Sequence, residues 1–216
     1  MRLRSLLLVV GLAVLFTGCS RIYYDTVESL VGTHKRDILK SRVKDARKEQ
    51  EEAKEEFMSA FDRFQALVNY DGGNLEKQYR KMNAEFEDCE QRANAVREKI
   101  NSIEDVGEEL FREWERELNQ YKRADLRNAS ARELRETRQR YNKMIAAMRN
   151  VERKMDPVLD AFRDQVLFLK HNLNARAVAS LEGTLASIEG DVDLLIKDME
   201  RSIQEADEFL KQMNPK

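Results

Sequence analysis

The sequence predicts an all-α fold, an elongated antiparallel four-helix coiled-coil bundle, and three observations carry that expectation. Apolar residues recur at alternating steps of three and four along almost the whole chain after residue 33, the spacing of helices packed on helices. The 216 residues include only 8 Gly and 2 Pro, too few turn formers for a sheet-rich domain. Finally, 36% of the residues are charged while 42% are hydrophobic, which excludes a multispanning membrane protein and a disordered tail alike.

The N-terminus stands apart from the bundle. Arg2 and Arg4 precede an apolar run from Leu6 to Phe16, and Thr17-Gly18 lead to Cys19. That run is too short for a bilayer span, which needs roughly 20 residues, so residues 1–18 read as a cleaved lipoprotein signal peptide. Small residues before a cysteine resemble a lipobox, although Phe16 stands where a lipobox usually carries Leu. Cys19 is then the acylated first residue of the mature chain. Ser20 after it resembles the pattern sorted to the outer membrane of Gram-negative bacteria, facing the periplasm. Residues 19–33 read as a lipidated tether, with Tyr23 and Tyr24 suited to a membrane interface or to packing under the bundle.

Residues 34–213 form the helical bundle domain, with helices expected near 34–69, 74–127, 131–171 and 174–213. The first follows Leu39, Val43, Ala46, Ala53, Phe57, Ala60, Phe64 and Leu67. The second follows Leu75, Tyr79, Met82, Phe86, Cys89, Ala93, Val96, Ile100, Ile103, Leu110 and Trp114. Leu134, Tyr141, Met144, Met148, Val151, Met155, Val158, Phe162 and Leu169 line the third, and Leu181, Leu185, Ile188, Val192, Leu195, Met199, Ala206, Phe209 and Met213 the fourth. Gln50, Gly107, Thr137, Gln165 and Ser202 break the pattern.

The turns have local causes. Asn69-Tyr70-Asp71-Gly72-Gly73 supplies glycines for a hairpin, and Asn74 is placed to cap the second helix. Ser130 with Glu133 three residues on reads as a capping box for the third helix. Pro157 interrupts that helix, but the register continues across it, so a kink is expected. The break at His171-Asn172-Leu173-Asn174 is the weakest; if it stays helical the fold is a three-helix variant.

In antiparallel hairpins the start of the first helix and the turn between the second and third meet at one end. Both are basic, with Lys35, Arg36, Lys40 and Arg42 in one cluster and Arg123, Arg127 and Arg132 in the other. They read either as a contact for anionic lipid or an acidic partner, or as a solvated face balanced by Glu49 to Glu56 and Glu104 to Glu117.

Chemistry is sparse. Only two histidines exist, His34 and His171, with no second ligand of their kind at metal spacing, so neither a metal site nor a cofactor is expected. No phosphate loop or nucleophile elbow is present, and an enzyme is not expected. A formal charge of −2 offers no field for nucleic acid. Cys89 falls in a seam and reads as a small buried hydrophobe, and Trp114 reads as core.

Two stretches resemble a known family. His34-Lys35-Arg36-Asp37-Ile38-Leu39, continued by Arg42-Val43, Ala46-Arg47 and Gln50-Glu51-Glu52-Ala53, resembles the opening of the bacterial domain-of-unknown-function family numbered 2959. So does the run from Phe162 to Ala175, which heptad spacing does not dictate, and the similarity extends over residues 22–214. The resemblance implies Gram-negative lipoproteins of helical build and brings no activity, ligand or catalytic residue. Within the second run Gln165, His171, Asn172 and Asn174 form a candidate polar corner, read as a site or as a hydrogen-bonded turn. The expected function is an outer-membrane-anchored periplasmic scaffold or adaptor that binds the membrane through Cys19 and another envelope protein through its helix faces, with self-association left open. The alternative is a lipid- or membrane-binding envelope protein.

Overall fold

The computed structural model describes residues 19–69, 72 and 74–213, with side chains from residue 34 onward apart from Ala175. The signal segment 1–18 and the side chains of Cys19, Tyr23 and Tyr24 lie outside the described residues. Four helices follow one another: α1 (Cys19–Val68), α2 (Leu75–Leu118), α3 (Ala124–His171) and α4 (Ala175–Met213). At about 1.5 Å per residue α2 and α3 are about 66 and 72 Å long. Each helix packs against the next and α4 returns to α1, so the four close into an up-down-up-down bundle.

Three boundaries differ from expectation. The first helix begins at Cys19 rather than 34, because residues 19–33 hold no proline and a single glycine and nothing stops helical propagation. The expected tether is therefore helical backbone. The turn between the second and third helices lies at 119–123, not at 128–130. Leu118 is the last α2 side chain packed on the core, and no residue from 121 to 129 is covered, so packing favours an early turn where propensity alone had no preference. Ser130 is consequently inside α3 and caps nothing; its Oγ accepts the Trp114 indole N–H at 2.8 Å. Position 123, an arginine, precedes α3 without any side-chain cap.

Other expectations hold. Asn74 Oδ1 accepts the Lys77 N–H at 2.9 Å and caps α2, and Gly72 takes φ 156° in the hairpin before it. Residues 172–174 form a turn, so the bundle has four helices and not three. Helix α3 runs on through Pro157, which faces solvent.

The core runs the length of the bundle and contains nearly all the residues of the four seams. The pattern breakers have separate explanations. Gln50 and Ser202 are fully buried and bond to each other, the Ser202 hydroxyl donating to Gln50 Oε1 at 2.9 Å between α1 and α4. Gly107 is where the Tyr141 ring crosses α2: a Cβ there would lie 2.5 Å from the tyrosine oxygen. Thr137 is buried and its hydroxyl donates to Glu133 Oε1 at 3.4 Å. Gln165 does not enter the core at all, since Val166 takes the inward place between Phe162 and Leu169.

Ion pairs lace every helix contact. Arg92 of α2 reaches Glu49 (3.0 Å) and Glu52 (2.6 Å) of α1. Between α2 and α3, Arg163 pairs with Glu90 (2.6 Å), Arg138 with Glu115 (2.6 Å) and Arg149 with Glu104. Lys154 of α3 meets Asp198 of α4 (2.5 Å), and Arg47 of α1 meets Asp207 of α4 (2.8 Å). Each such pair contributes only about 0.2–1 kcal/mol, but opposite charges at these heights disfavour slipped registers.

Candidate functional site

The antiparallel order brings the early part of α1 and the α2–α3 turn to one end, as the basic clusters require. The seven candidate cations there divide in two. Four have structural partners. Lys35 bridges Glu113 (3.2 Å) and Glu109 (3.5 Å), the Arg36 guanidinium lies 4.2 Å from the centroid of the Trp114 ring, Lys40 pairs with Asp37 (2.9 Å), and Arg123 with Asp125 (2.6 Å). The lysine and arginine beside them hold the Asp37 and Asp125 carboxyls below the usual range. Lys35 and Arg36 thus belong to the α1–α2 contact and are not free to bind a ligand.

The other three, Arg42, Arg127 and Arg132, are exposed and have no carboxylate partner among the described residues. Lys122 and Arg135 share that condition. Among them stand two apolar side chains that the seam pattern missed, Tyr121 and Leu126, with 41% and 46% of their surface exposed. They fall between heptad segments, so periodicity contains no signal for them. Just inside this tip a shallow groove of about 480 Å³ opens between α2 and α3, lined by Glu115, Leu118, Leu134, Arg135 and Arg138 among others.

The polar corner at the opposite end is mostly a turn. Asn172 Nδ2 donates to the Phe168 carbonyl (2.9 Å), and its backbone N–H donates to Leu169 O (3.1 Å), closing α3. Asn174 Oδ1 accepts the Ala177 N–H (3.0 Å) and caps α4. His171 is exposed and Gln165 half-buried, and neither joins the Asn172–Asn174 hydrogen bonds. The four residues therefore do not converge on one point. What the run from Phe162 to Ala175 does present is apolar: Leu167, Phe168 and Leu173 are all exposed around this turn.

Elsewhere the chemistry is quiet. Cys89 is fully buried, and desolvation together with Glu56, Glu85 and Asp88 pushes its thiol well above the ordinary range, so the thiolate needed for reactivity is suppressed. Burial, with Asp88 and Glu85 nearby, also raises the Glu56 carboxyl. Among the described residues no group of three His, Cys, Asp or Glu side chains converges to hold a metal, and no helix is long and apolar enough to cross a membrane.

Neither a curated protein nor a solved structure matches this chain. A family model described as "Protein of unknown function (DUF2959)" matches residues 23–213, which spans all four helices and both stretches that carried the resemblance. The chain belongs to the DUF2959 family of proteins of unknown function.

Proposed function

We propose that this protein is an acylated envelope lipoprotein, anchored through Cys19 in the periplasmic face of the outer membrane, whose bundle acts as a scaffold or adaptor for another envelope protein. The observation that carries this reading is the distribution of exposed apolar groups. The exposed large apolar side chains gather at the two ends of the rod, Leu167, Phe168 and Leu173 at the end remote from the start of the bundle on α1 and Tyr121 and Leu126 at the other, with Met58 and Leu194 as isolated exceptions along the sides. Apolar side chains grouped at a rod tip suit a protein partner better than solvent. The tip lies in the run whose composition the heptad does not require, so packing within the bundle is not its reason.

The anchor reading rests on the sequence from Arg2 to Ser20. Labelling of cells with a radioactive fatty acid tests it: label is expected on the wild type and lost in Cys19→Ser. The adaptor reading is tested by a photo-crosslinking amino acid placed at Phe168 and, as a comparison, at Leu194. A discrete crosslinked envelope protein from position 168 and none from 194 is expected; the same smear of abundant neighbours from both sinks the reading. A second reading, contact with lipid, is favoured by the composition of the α2–α3 tip.

A further inference from the structure

We infer that the α2–α3 tip is a membrane-contact surface for anionic phospholipid, formed by Tyr121 and Leu126 with Lys122, Arg127 and Arg132. Its placement beside a bilayer rests on the anchor reading given above; its affinity for lipid does not.

Three features converge there. First, the tip projects beyond the packed core of α2 and α3. The Trp114–Ser130 hydrogen bond fixes the level of α2 against α3. From that level α2 ends after Leu118, while α3 extends back to Ala124, and every residue from 121 to 129 is exposed. Second, the exposed set has interfacial chemistry. A tyrosine and a leucine sit among cations, the combination that places apolar groups at the level of the headgroups and positive charge against phosphate. Asp125, which alone is acidic between Lys122 and Arg132, is taken up by Arg123. Third, the fold gains nothing from these cations. Arg127 lies in the first turn of α3, where positive charge opposes the helix dipole, and Lys122, Arg127 and Arg132 find no carboxylate among the described residues.

The end of the rod is also the correct one. Arg36 stacks on Trp114 at the same level, and from there α1 runs back to Cys19, a span of about 25 Å as helix. An acyl group on Cys19 holds the tip within about that distance of the bilayer surface, so even weak lipid affinity is exercised at high local concentration. The other end carries apolar groups too, but α1 leads away from it.

The test uses the mature-length chain, residues 19–216, with Cys19→Ser, so no acyl group contributes and a failure of the anchor reading leaves the measurement unaffected. Sedimentation with vesicles of phosphatidylethanolamine and phosphatidylglycerol is compared with vesicles of phosphatidylcholine. Binding is expected only to the anionic vesicles. Each cation near the surface contributes about fivefold, so Lys122→Gln, Arg127→Gln and Arg132→Gln together reduce binding on the order of 100-fold, while Lys170→Gln with Arg176→Gln at the other end leaves it within about twofold. Since these side chains are exposed, helix content and melting serve as controls for folding. Leu126→Cys labelled with an environment-sensitive dye is expected to shift to the blue on anionic vesicles, with buried Cys89 unlabelled. Leu173→Cys is expected to show no shift. Equal binding to neutral and anionic vesicles, an unaffected triple variant, or a response at position 173 without one at 126 would each overturn the proposal.

Discussion

Gly107 and Tyr141 show what a single missing Cβ does in a packed seam. The Tyr141 ring lies in van der Waals range of the α2 backbone because position 107 has no side chain, and its hydroxyl donates to the Ile103 carbonyl at 3.4 Å. Phe111 and Phe209 pack on the ring edge-to-face at 5.1 and 6.2 Å, so displacing it disturbs both contacts. Gly107→Ala is therefore expected to cost about 1–3 kcal/mol by overpacking despite the better helix propensity of alanine. Urea denaturation measures it, and Tyr141→Val in the same chain is expected to recover much of the loss. The Gln50–Ser202 pair poses the opposite case. Gln50 Nε2 has no partner, so the amide is only half satisfied in an apolar core. Ser202→Ala is expected to destabilise by about 1–3 kcal/mol, whereas Gln50→Leu with Ser202→Ala, which removes both partners, is expected to be neutral or stabilising. Glu56 gives a pH dependence whose sign is set by burial. Its folded pKa lies above the ordinary 4.5, so its charged form disfavours the fold at neutral pH and the penalty disappears as pH falls below that value. Glu56→Gln is expected to raise the urea midpoint at pH 7 and to have no effect below about pH 4.

At the scale of elements, helix ends were legible only where a side chain acts on its own backbone. Asn74 is such a residue, and Asn74→Ala is expected to cost about 1 kcal/mol. Ser130 and Glu133 carry the same local signature, yet Ser130 holds the Trp114 indole instead. The two roles separate by mutation. A capping box would tie both residues to the start of α3; here Ser130→Ala is expected to lose about 0.5–1.5 kcal/mol and change the emission of Trp114, while Glu133→Ala, which removes the long Thr137 contact instead, is expected to leave that emission unchanged. Residue type alone cannot distinguish a cap from a cross-helix acceptor, because both ask only for a small hydroxyl. Helix α3 makes a related point through Gln165. A strict heptad puts residue 165 inward, but a straight α-helix drifts against a seven-residue repeat, and Val166 takes the place with no polar group to bury.

For the whole molecule, the single contiguous core along all four helices predicts one cooperative unit. Cys89 reports on it. In the Cys19→Ser chain the thiol is fully buried and its pKa raised, so disulfide exchange with a soluble reagent is expected to proceed only through global unfolding. The urea dependence of the labelling rate should then match that of equilibrium unfolding; a much shallower dependence would indicate local opening of α1 from α2. The rod also segregates its surface in a way the net charge of −2 conceals. Cross-helix ion pairs join neighbouring helices along its sides, while the α2–α3 tip brings unpaired cations together with the exposed Tyr121 and Leu126.

The amino-acid sequence by itself determined that the chain is helical, which residues line the four seams, and that the basic clusters share an end. These follow from short-range periodicity and from the antiparallel order that short turns impose. Tertiary structure decided which cations are free, since Lys35 and Arg36 differ from Arg127 and Arg132 only in having Glu113 and Trp114 across a helix contact. It also decided where the α2–α3 turn falls and that two polar exceptions far apart in sequence satisfy each other. Helix formation depends on neighbours three and four residues away, whereas the pairing of a charge or a buried amide depends on which helix faces it, and that is settled only when the bundle closes.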